Sequence, residues 1–326
     1  MTHSGAASHR RRRVMLLGAT GTIGRATAQS LLEDGHEVAC LVRPGTQGLP
    51  AGLDIRIGQV TDAHSLRDDG FRGERFDVLV SCLASRSGVP EDAWAIDHAA
   101  HVAALGEAQR AGVHHVVLLS AICVQKPKLA FQHAKLAFEK VLAGSGLDHS
   151  IVRPTAYFKS LSGQIARVRK GKPFLLFGDG RLTATKPISD ADLGRYIANC
   201  LSDRSLRGIL PVGGPGPAFT PREQGEWLFA LLGRKPAFRS VPVAMFDVIG
   251  SGLAAAGLLS SKLGAKAEFA RIGRYYATES MLVWDATAGR YDADATPSFG
   301  SETLRDHYAE IIAGGPEQDL GAHRMF

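Results

Sequence analysis

The chain has 326 residues, 45% hydrophobic and 21% charged, the ordinary composition of a globular protein long enough for one large domain or one domain with a lobe. Its formal charge is +6, but the arginines at 10–13 supply four of those positive charges, so the remainder is nearly balanced. A terminal basic run of this kind reads as a solvated tail over residues 1–12, and no basic face is left to suggest a nucleic-acid partner.

The apolar run beginning at Val14 and ending at Gly18 predicts a buried strand, followed by a helix over 23–34 that stops at Gly35. Strands follow at 37–42 and 54–57, then a short helix capped by Asp62. A fourth strand spans 77–83, and a long Ala-rich helix spans 92–111, closed by Gly112. A fifth strand at 115–120, a helix at 129–143 and a sixth strand at 149–153 complete an unbroken alternation. This is the pattern of a parallel sheet covered on both faces. After Pro154 the spacing predicts a helix over 160–170, a strand over 174–177 and a helix over 190–201. A strand at 209–212 returns to the sheet. A helix from Thr220, a strand at 238–241, an apolar helix and a polar tail follow. The expected fold is α/β, a Rossmann-type doubly wound parallel sheet with a smaller C-terminal substrate lobe. It divides into a core over 13–158 and a mixed segment with the lobe over 159–326.

Residues 243–263 are mostly apolar, but Asp247 interrupts them and Gly and Ser are dense, so a buried helix or pocket wall is expected rather than a membrane span. Shallow contact with a membrane surface stays open. Four scattered cysteines form no CxxC pair, which fits a reducing compartment. The first thirteen residues lack an apolar stretch for a secretory signal. A cytoplasmic location is expected. The sequence carries no metal-ligand constellation.

The turn Gly18-Ala-Thr20-Gly21-Thr22-Ile23-Gly24 lies between the first strand and first helix, the setting that binds a dinucleotide. Gly18 permits the sharp turn, Gly21 lets the backbone approach the pyrophosphate, and Gly24 lets helix pack on strand. The helix N-terminus offers free N–H groups to the phosphates. At the end of the second strand, Arg43 stands where an NAD enzyme carries an acid, which favours the 2′-phosphate of NADPH. Asp62 is either an adenine contact or only a helix cap. Ala84 and Ser85, closing the fourth strand, are expected beside the cofactor, as is Pro154.

Ser120 ends the fifth strand, and Lys135 lies on the next helix. This spacing resembles the short-chain dehydrogenases, in which the lysine bonds the nicotinamide ribose. Those enzymes place a tyrosine four residues before it; here that position holds Phe131. A phenyl ring neither polarises a carbonyl nor delivers a proton, so simple ketone reduction is disfavoured. His133 lies two residues from Phe131 and points off that helix face. Tyr157 either reaches the nicotinamide region or packs as a loop aromatic.

Longer runs carry a more specific resemblance. SAICVQKPKLAFQHAKL (120–136), IVRPTAYFKSLSGQ (151–164), GKPFLLFGDG (171–180), KPISDADL (186–193), PVGGPGPAFTPREQGE (211–226) and RIGRYYATESMLVWD (271–285) are similar to the 8-vinyl reductases of divinyl chlorophyllide. These are atypical short-chain dehydrogenases of chlorophyll and bacteriochlorophyll synthesis. The resemblance spans nearly the whole chain. It implies NADPH as cofactor and divinyl chlorophyllide or protochlorophyllide as substrate, with peripheral contact to a photosynthetic membrane left open. Lys135, Ser120 and Tyr157 are then the candidate catalytic residues. Phe131, Phe158, Lys159, Phe177, Phe246, Arg274 and Tyr275 are candidate pocket residues, with Met245 and Tyr276 as further wall aromatics and apolars. Lys159 or Arg274 would meet the substrate's propionate. Two alternatives stay open: another NADPH reductase of the isoflavone or aromatic-ether type, against which the lobe motifs argue, and a non-catalytic NADPH-binding sensor or assembly subunit, against which Lys135 and the Ser120 segment argue.

Overall fold

Runs such as Val14-Met-Leu-Leu17 and Val38-Ala-Cys-Leu-Val42 have no polar face, and each is buried along its whole length. Strands of that kind belong in the middle of a parallel sheet covered on both sides. In a computed structural model that describes residues 10–257 and 261–315, they do so. Strands β1 (Arg13–Leu17), β2 (Glu37–Val42), β3 (Asp54–Ile57), β4 (Val78–Ser81), β5 (His115–Leu119) and β6 (Asp148–Pro154) join a later strand in one seven-stranded sheet. That strand is Gly208–Val212, and the order is β3-β2-β1-β4-β5-β6 followed by it. All the sheet's pairings are parallel. The order reverses between β1 and β4, the place where an open α/β sheet forms its ligand crevice.

Helices cover both faces. Helix α1 (Thr22–Glu33) packs on one face beside a helix over Asp190–Ser202. Their backbones nearly touch at Gly194, where a Cβ would lie 2.6 Å from the carbonyl carbon of Ala26. On the other face lie α2 (His101–Arg110) and α3 (Ala130–Ala143). The expected long helix over 92–111 is instead composite: an α turn at Pro90–Ala93 and a π-helical stretch at Trp94–Ala100 lead into α2.

The expected helix over 160–170 is broken into Phe158–Leu161 and Ile165–Arg169. Gln164 between them exchanges hydrogen bonds with Leu175, its Oε1 accepting from the backbone N–H at 2.7 Å and its Nε2 donating to the carbonyl at 2.9 Å. Strand β7 (Phe174–Phe177) stands outside the main sheet and pairs in parallel with Phe238–Val241. The expected polar tail is also structured. A helix over Ser261–Thr278 leads to a hairpin of Val283–Asp285 and Arg290–Asp292, then to α-helix Leu304–Ile312. Leu304, Tyr308 and Ile311 of that last helix join the lobe's core with Phe158, Phe174 and Leu228.

The basic run is not a free tail over its described part. Arg11 pairs with Glu37 at 2.9 Å, Arg12 contacts the ring of His114 at 3.2 Å, and Arg13 pairs with Glu74 while opening β1. Residues 1–9 lie outside the described residues. No helix among the described residues is long and apolar enough to cross a membrane.

Candidate active site

The glycine turn is shaped by close packing at two of its three glycines. Gly18 has φ +79°, and a Cβ there would lie 2.5 Å from the carbonyl carbon of Cys82 on the strand beyond. At Gly24 a Cβ would lie 2.0 Å from the Gly18 oxygen. Gly21 differs: its φ of −74° suits any residue, and a Cβ there meets nothing closer than 3.5 Å. The protein itself does not need a glycine at 21, and the absent side chain leaves open the approach to the helix end. Gly21 caps α1 without a side-chain bond, and the first turn holds no acid. The N–H groups of Thr22, Ile23 and Gly24 are thus left for an anion. This cradle fits a dinucleotide pyrophosphate.

Around it, Lys159 donates to the Thr22 hydroxyl at 3.3 Å. Its ammonium thus lies at the glycine turn, and Lys159 is not among the residues that line the cavity. Arg25, which the sequence reading passed over, ties the turn to the loop after β2 by donating to the carbonyls of Thr20 at 3.2 Å and Gln47 at 3.0 Å, and to that of Gly48. Arg43 stands exposed at the end of β2, with no side-chain partner among the described residues. Asp62 is a helix cap, its Oδ1 accepting from the N–H groups of His64 at 2.8 Å and Ser65 at 3.4 Å.

The C-terminal ends of β4, β5 and β6 converge with the lobe on a cavity of about 450 Å³. Ala84, Ser85, Ser120, Phe131, Lys135, Pro154, Tyr157 and Phe177 all line it. Two buried carboxylates, neither singled out from sequence, organise this wall. Asp97 accepts from Lys135 Nζ at 2.9 Å and from the Ser85 hydroxyl at 2.6 Å. It sits in the π-helical stretch, whose wider turn helical periodicity does not reveal. Glu139 lies one turn beyond Lys135, a spacing that puts both on one face of α3. It accepts the Ser120 hydroxyl at 2.5 Å and pairs with Arg153 through Nε at 3.2 Å and through Nη2. The Ser120 proton is thereby directed at Glu139. His133 is exposed.

Tyr157 lines the cavity while packing against the core on one face of the sheet, and its hydroxyl makes no hydrogen bond among the described residues. Burial pushes this phenol's pKa up, and the nearby Cys123 and Cys82 thiols add to the effect. The lobe contributes one face of its helix over Ser261–Thr278: Phe269, Ile272 and Tyr276 line the cavity, followed by Glu279 beyond the helix end. Tyr276 is 41% exposed because that surface opens into the cavity. Burial opposes charge on Glu279, but bonds from Lys126 at 2.7 Å, from Lys128, and from Tyr291 at 2.6 Å hold its pKa down at about 2.

Four other expected wall residues are not among those that line the cavity. Phe158 is core, packed against the His307 ring at 5.4 Å. Phe246 backs Phe177 at 4.9 Å and covers Gly273. Tyr275 is buried, its hydroxyl donating to the carbonyls of Cys123 at 2.8 Å and Lys126 at 3.1 Å; its neighbour Tyr276 takes the wall position. Arg274 pairs with Asp247 at 2.6 Å. Met245 is 43% exposed on the outside of the lobe. Among the described residues no cluster of three or more His, Cys, Asp or Glu is placed to hold a metal ion.

The chain is similar to known proteins in both fold and sequence. The NAD(P)H-binding family model matches residues 18–204. The fold is shared with the NADPH-dependent quinone oxidoreductase QOR2 of Escherichia coli, solved with NADPH, at a TM-score of 0.65 and 19% identity over 92% of this chain and 99% of that one. Far nearer in sequence are chloroplastic divinyl chlorophyllide a 8-vinyl-reductases. That of Oryza sativa subsp. indica is 45% identical over 96% of this chain and 82% of its own length. That of Arabidopsis thaliana is 44% identical over 94% and 79%. With an NAD(P)H-binding domain and this identity running through core and lobe alike, the chain belongs to the divinyl chlorophyllide a 8-vinyl-reductase family.

Proposed function

We infer that the protein reduces the 8-vinyl group of a divinyl chlorophyllide or protochlorophyllide to ethyl with NADPH, a step of chlorophyll or bacteriochlorophyll synthesis. The observation that carries this reading is Phe131 on the cavity wall, one helical turn before Lys135. Carbonyl reduction gathers charge on one oxygen and needs a donor aimed at it. Here the tyrosine is a phenyl ring and the Ser120 hydroxyl already donates to Glu139. A vinyl group conjugated to a macrocycle spreads the incoming charge over the ring, so the missing donor costs little, and a flat apolar wall suits a planar substrate.

Bound NADPH supplies the hydride. The turn from Gly18 to Gly24, with Thr20, Thr22 and Ile23, would hold its pyrophosphate, and Arg43 its 2′-phosphate. Ala84, Ser85 and Pro154 would flank it. Lys135, fixed by buried Asp97, would hold the nicotinamide ribose. Tyr157 is the candidate proton source, because it lines the cavity and its hydroxyl makes no hydrogen bond among the described residues. Shallow membrane contact belongs to the same reading, supported by exposed Met245 and Val248 on the apolar helix Ala244–Gly257 and by exposed Leu182 on the cavity wall.

The test is purified protein with NADPH and divinyl chlorophyllide. Loss of vinyl conjugation moves the Soret band to the blue. Tight NADPH binding without that shift would contradict the reading and favour a sensor or assembly subunit.

A further inference from the structure

We propose that Arg86 anchors the carboxylate of the substrate's propionate arm at the cavity opening; this rests on the reading above that the substrate is a chlorophyllide-type pigment. Among the described residues, three charged side chains line the cavity: Lys135, Glu279 and Arg86. The first two are already matched within the protein. Lys135 pairs with Asp97 at 2.9 Å, and Glu279 is held by Lys126, Lys128 and Tyr291. The Arg86 guanidinium has no ion pair or hydrogen bond among the described residues, and the residue is exposed, so its charge stands on the solvent side of the wall. The two cations expected from sequence to meet a carboxylate are both engaged elsewhere, Lys159 on Thr22 and Arg274 on Asp247.

The backbone beneath Arg86 is held on both sides. Asp92 Oδ2 accepts from the N–H groups of Arg86 and Ser87, each at 3.1 Å, and from the Ser87 hydroxyl at 2.7 Å. Ser85 is fixed to Asp97. Two residues on, Gly88 closes on Ile272 and Phe131, where a Cβ would lie 3.1 and 3.6 Å from their side chains. A rigid loop thus carries one long cation with nothing to bind, next to the phenyl wall. A guanidinium offers two parallel N–H donors to a carboxylate and stays charged at every working pH. The apolar wall takes the macrocycle, and the arm that must keep its charge in water reaches the arginine. The same geometry sets a specificity: the free acid is favoured over the esterified pigment.

The experiment crosses two enzymes with two substrates. Wild type and Arg86→Gln are each given divinyl chlorophyllide and its propionate methyl ester, with KM measured for both pigments and for NADPH. Equilibrium binding of the two pigments is followed by quenching of tryptophan fluorescence. The expected result is an ester-to-acid KM ratio of about ten for wild type and about one for Arg86→Gln, with Arg86→Lys intermediate. A ratio of one in wild type, or a ratio unchanged by Arg86→Gln, overturns the proposal while leaving vinyl reduction standing. So does a raised KM for NADPH at an unchanged pigment ratio, which would assign Arg86 to a cofactor phosphate. Conversely, preferential binding of the acid that depends on Arg86, without turnover of either pigment, supports the anchor and removes the reaction assignment.

Discussion

Replacing Gly21 with alanine separates what the protein needs from what the cofactor needs. The backbone there has φ −74° and ψ 164°, open to alanine, and the added Cβ comes no nearer than 3.5 Å to any atom. Unliganded stability is therefore expected to stay within about 0.5 kcal/mol of wild type. The new methyl does stand where the backbone must approach the pyrophosphate. Losing one hydrogen bond to a charged group costs about 1.5–3 kcal/mol, or roughly 10- to 150-fold in Kd. With NADPH at about 100 times the wild-type Kd, ligand stabilises wild type by about 2.7 kcal/mol. A variant weakened about thirtyfold gains only about 0.9 kcal/mol at that concentration. Paired thermal melts with and without NADPH read both quantities, and a fluorescence titration gives Kd directly. Gly24→Ala is the contrast. Its Cβ would sit 2.0 Å from the Gly18 oxygen, so it should lower Tm without ligand, by about 1–3 kcal/mol of stability. The reasoning fails if Gly21→Ala binds NADPH as wild type does, or if its unliganded melt falls like that of Gly24→Ala.

Further outcomes follow from the same geometry. Phe131→Tyr should lower kcat/KM for vinyl reduction several-fold, because it puts a hydroxyl on the planar apolar wall; a markedly faster variant would show that the phenyl ring is not an adaptation to the substrate. Glu279→Gln should cost about 1–2 kcal/mol, since it removes the carboxylate shared by Lys126 and Lys128 while both lysines still reach solvent. In urea unfolding, the acid dependence between pH 4.5 and 2 should also flatten: the folded pKa near 2 lies below the usual carboxylate value, so this stabilisation is full above about pH 4.5 and lost as pH falls through 2. Burial, reinforced by the Lys135 charge, lowers the His101 pKa from 6.5 to about 4. The unfolded chain therefore takes up a proton first as pH drops, and stability should fall by about 2 kcal/mol between pH 7 and 5. His101→Asn should unfold with a shallower pH slope over that window; an unchanged slope would place the acid sensitivity elsewhere.

Local features were the legible ones. The sheet could be read from strands with no polar face, and the cofactor turn from three glycines between strand and helix. Phe131 and Lys135 share the cavity wall because four residues make one helical turn. What sequence spacing did not reveal depends on partners far along the chain. Asp97 reaches Lys135 across 38 positions, from a π-helical stretch whose turn is wider than the 3.6-residue repeat. Lys159 was read as a cation for the substrate's propionate, yet its long stem crosses to Thr22. Tyr275 and Tyr276 are adjacent in sequence and alike in chemistry; helix rotation alone decides that one bonds the Cys123 carbonyl and the other faces the cavity. The helix expected over 160–170 breaks because Gln164 satisfies Leu175, a bond between segments that periodicity treats separately. The C-terminal segment reads as polar, but its few apolar residues, Leu304, Tyr308 and Ile311, fall on one face of a short helix and complete the lobe's core.

The central claim is that hydride goes to a conjugated carbon–carbon bond and not to an oxygen-bearing carbon. Single-turnover reaction with NADPH deuterated at the transferred position, followed by NMR of the pigment, tests it directly. The account predicts one deuterium on the terminal carbon of the new 8-ethyl group and an intact ring ketone. Deuterium on a carbinol carbon, with the vinyl group unchanged, would contradict it.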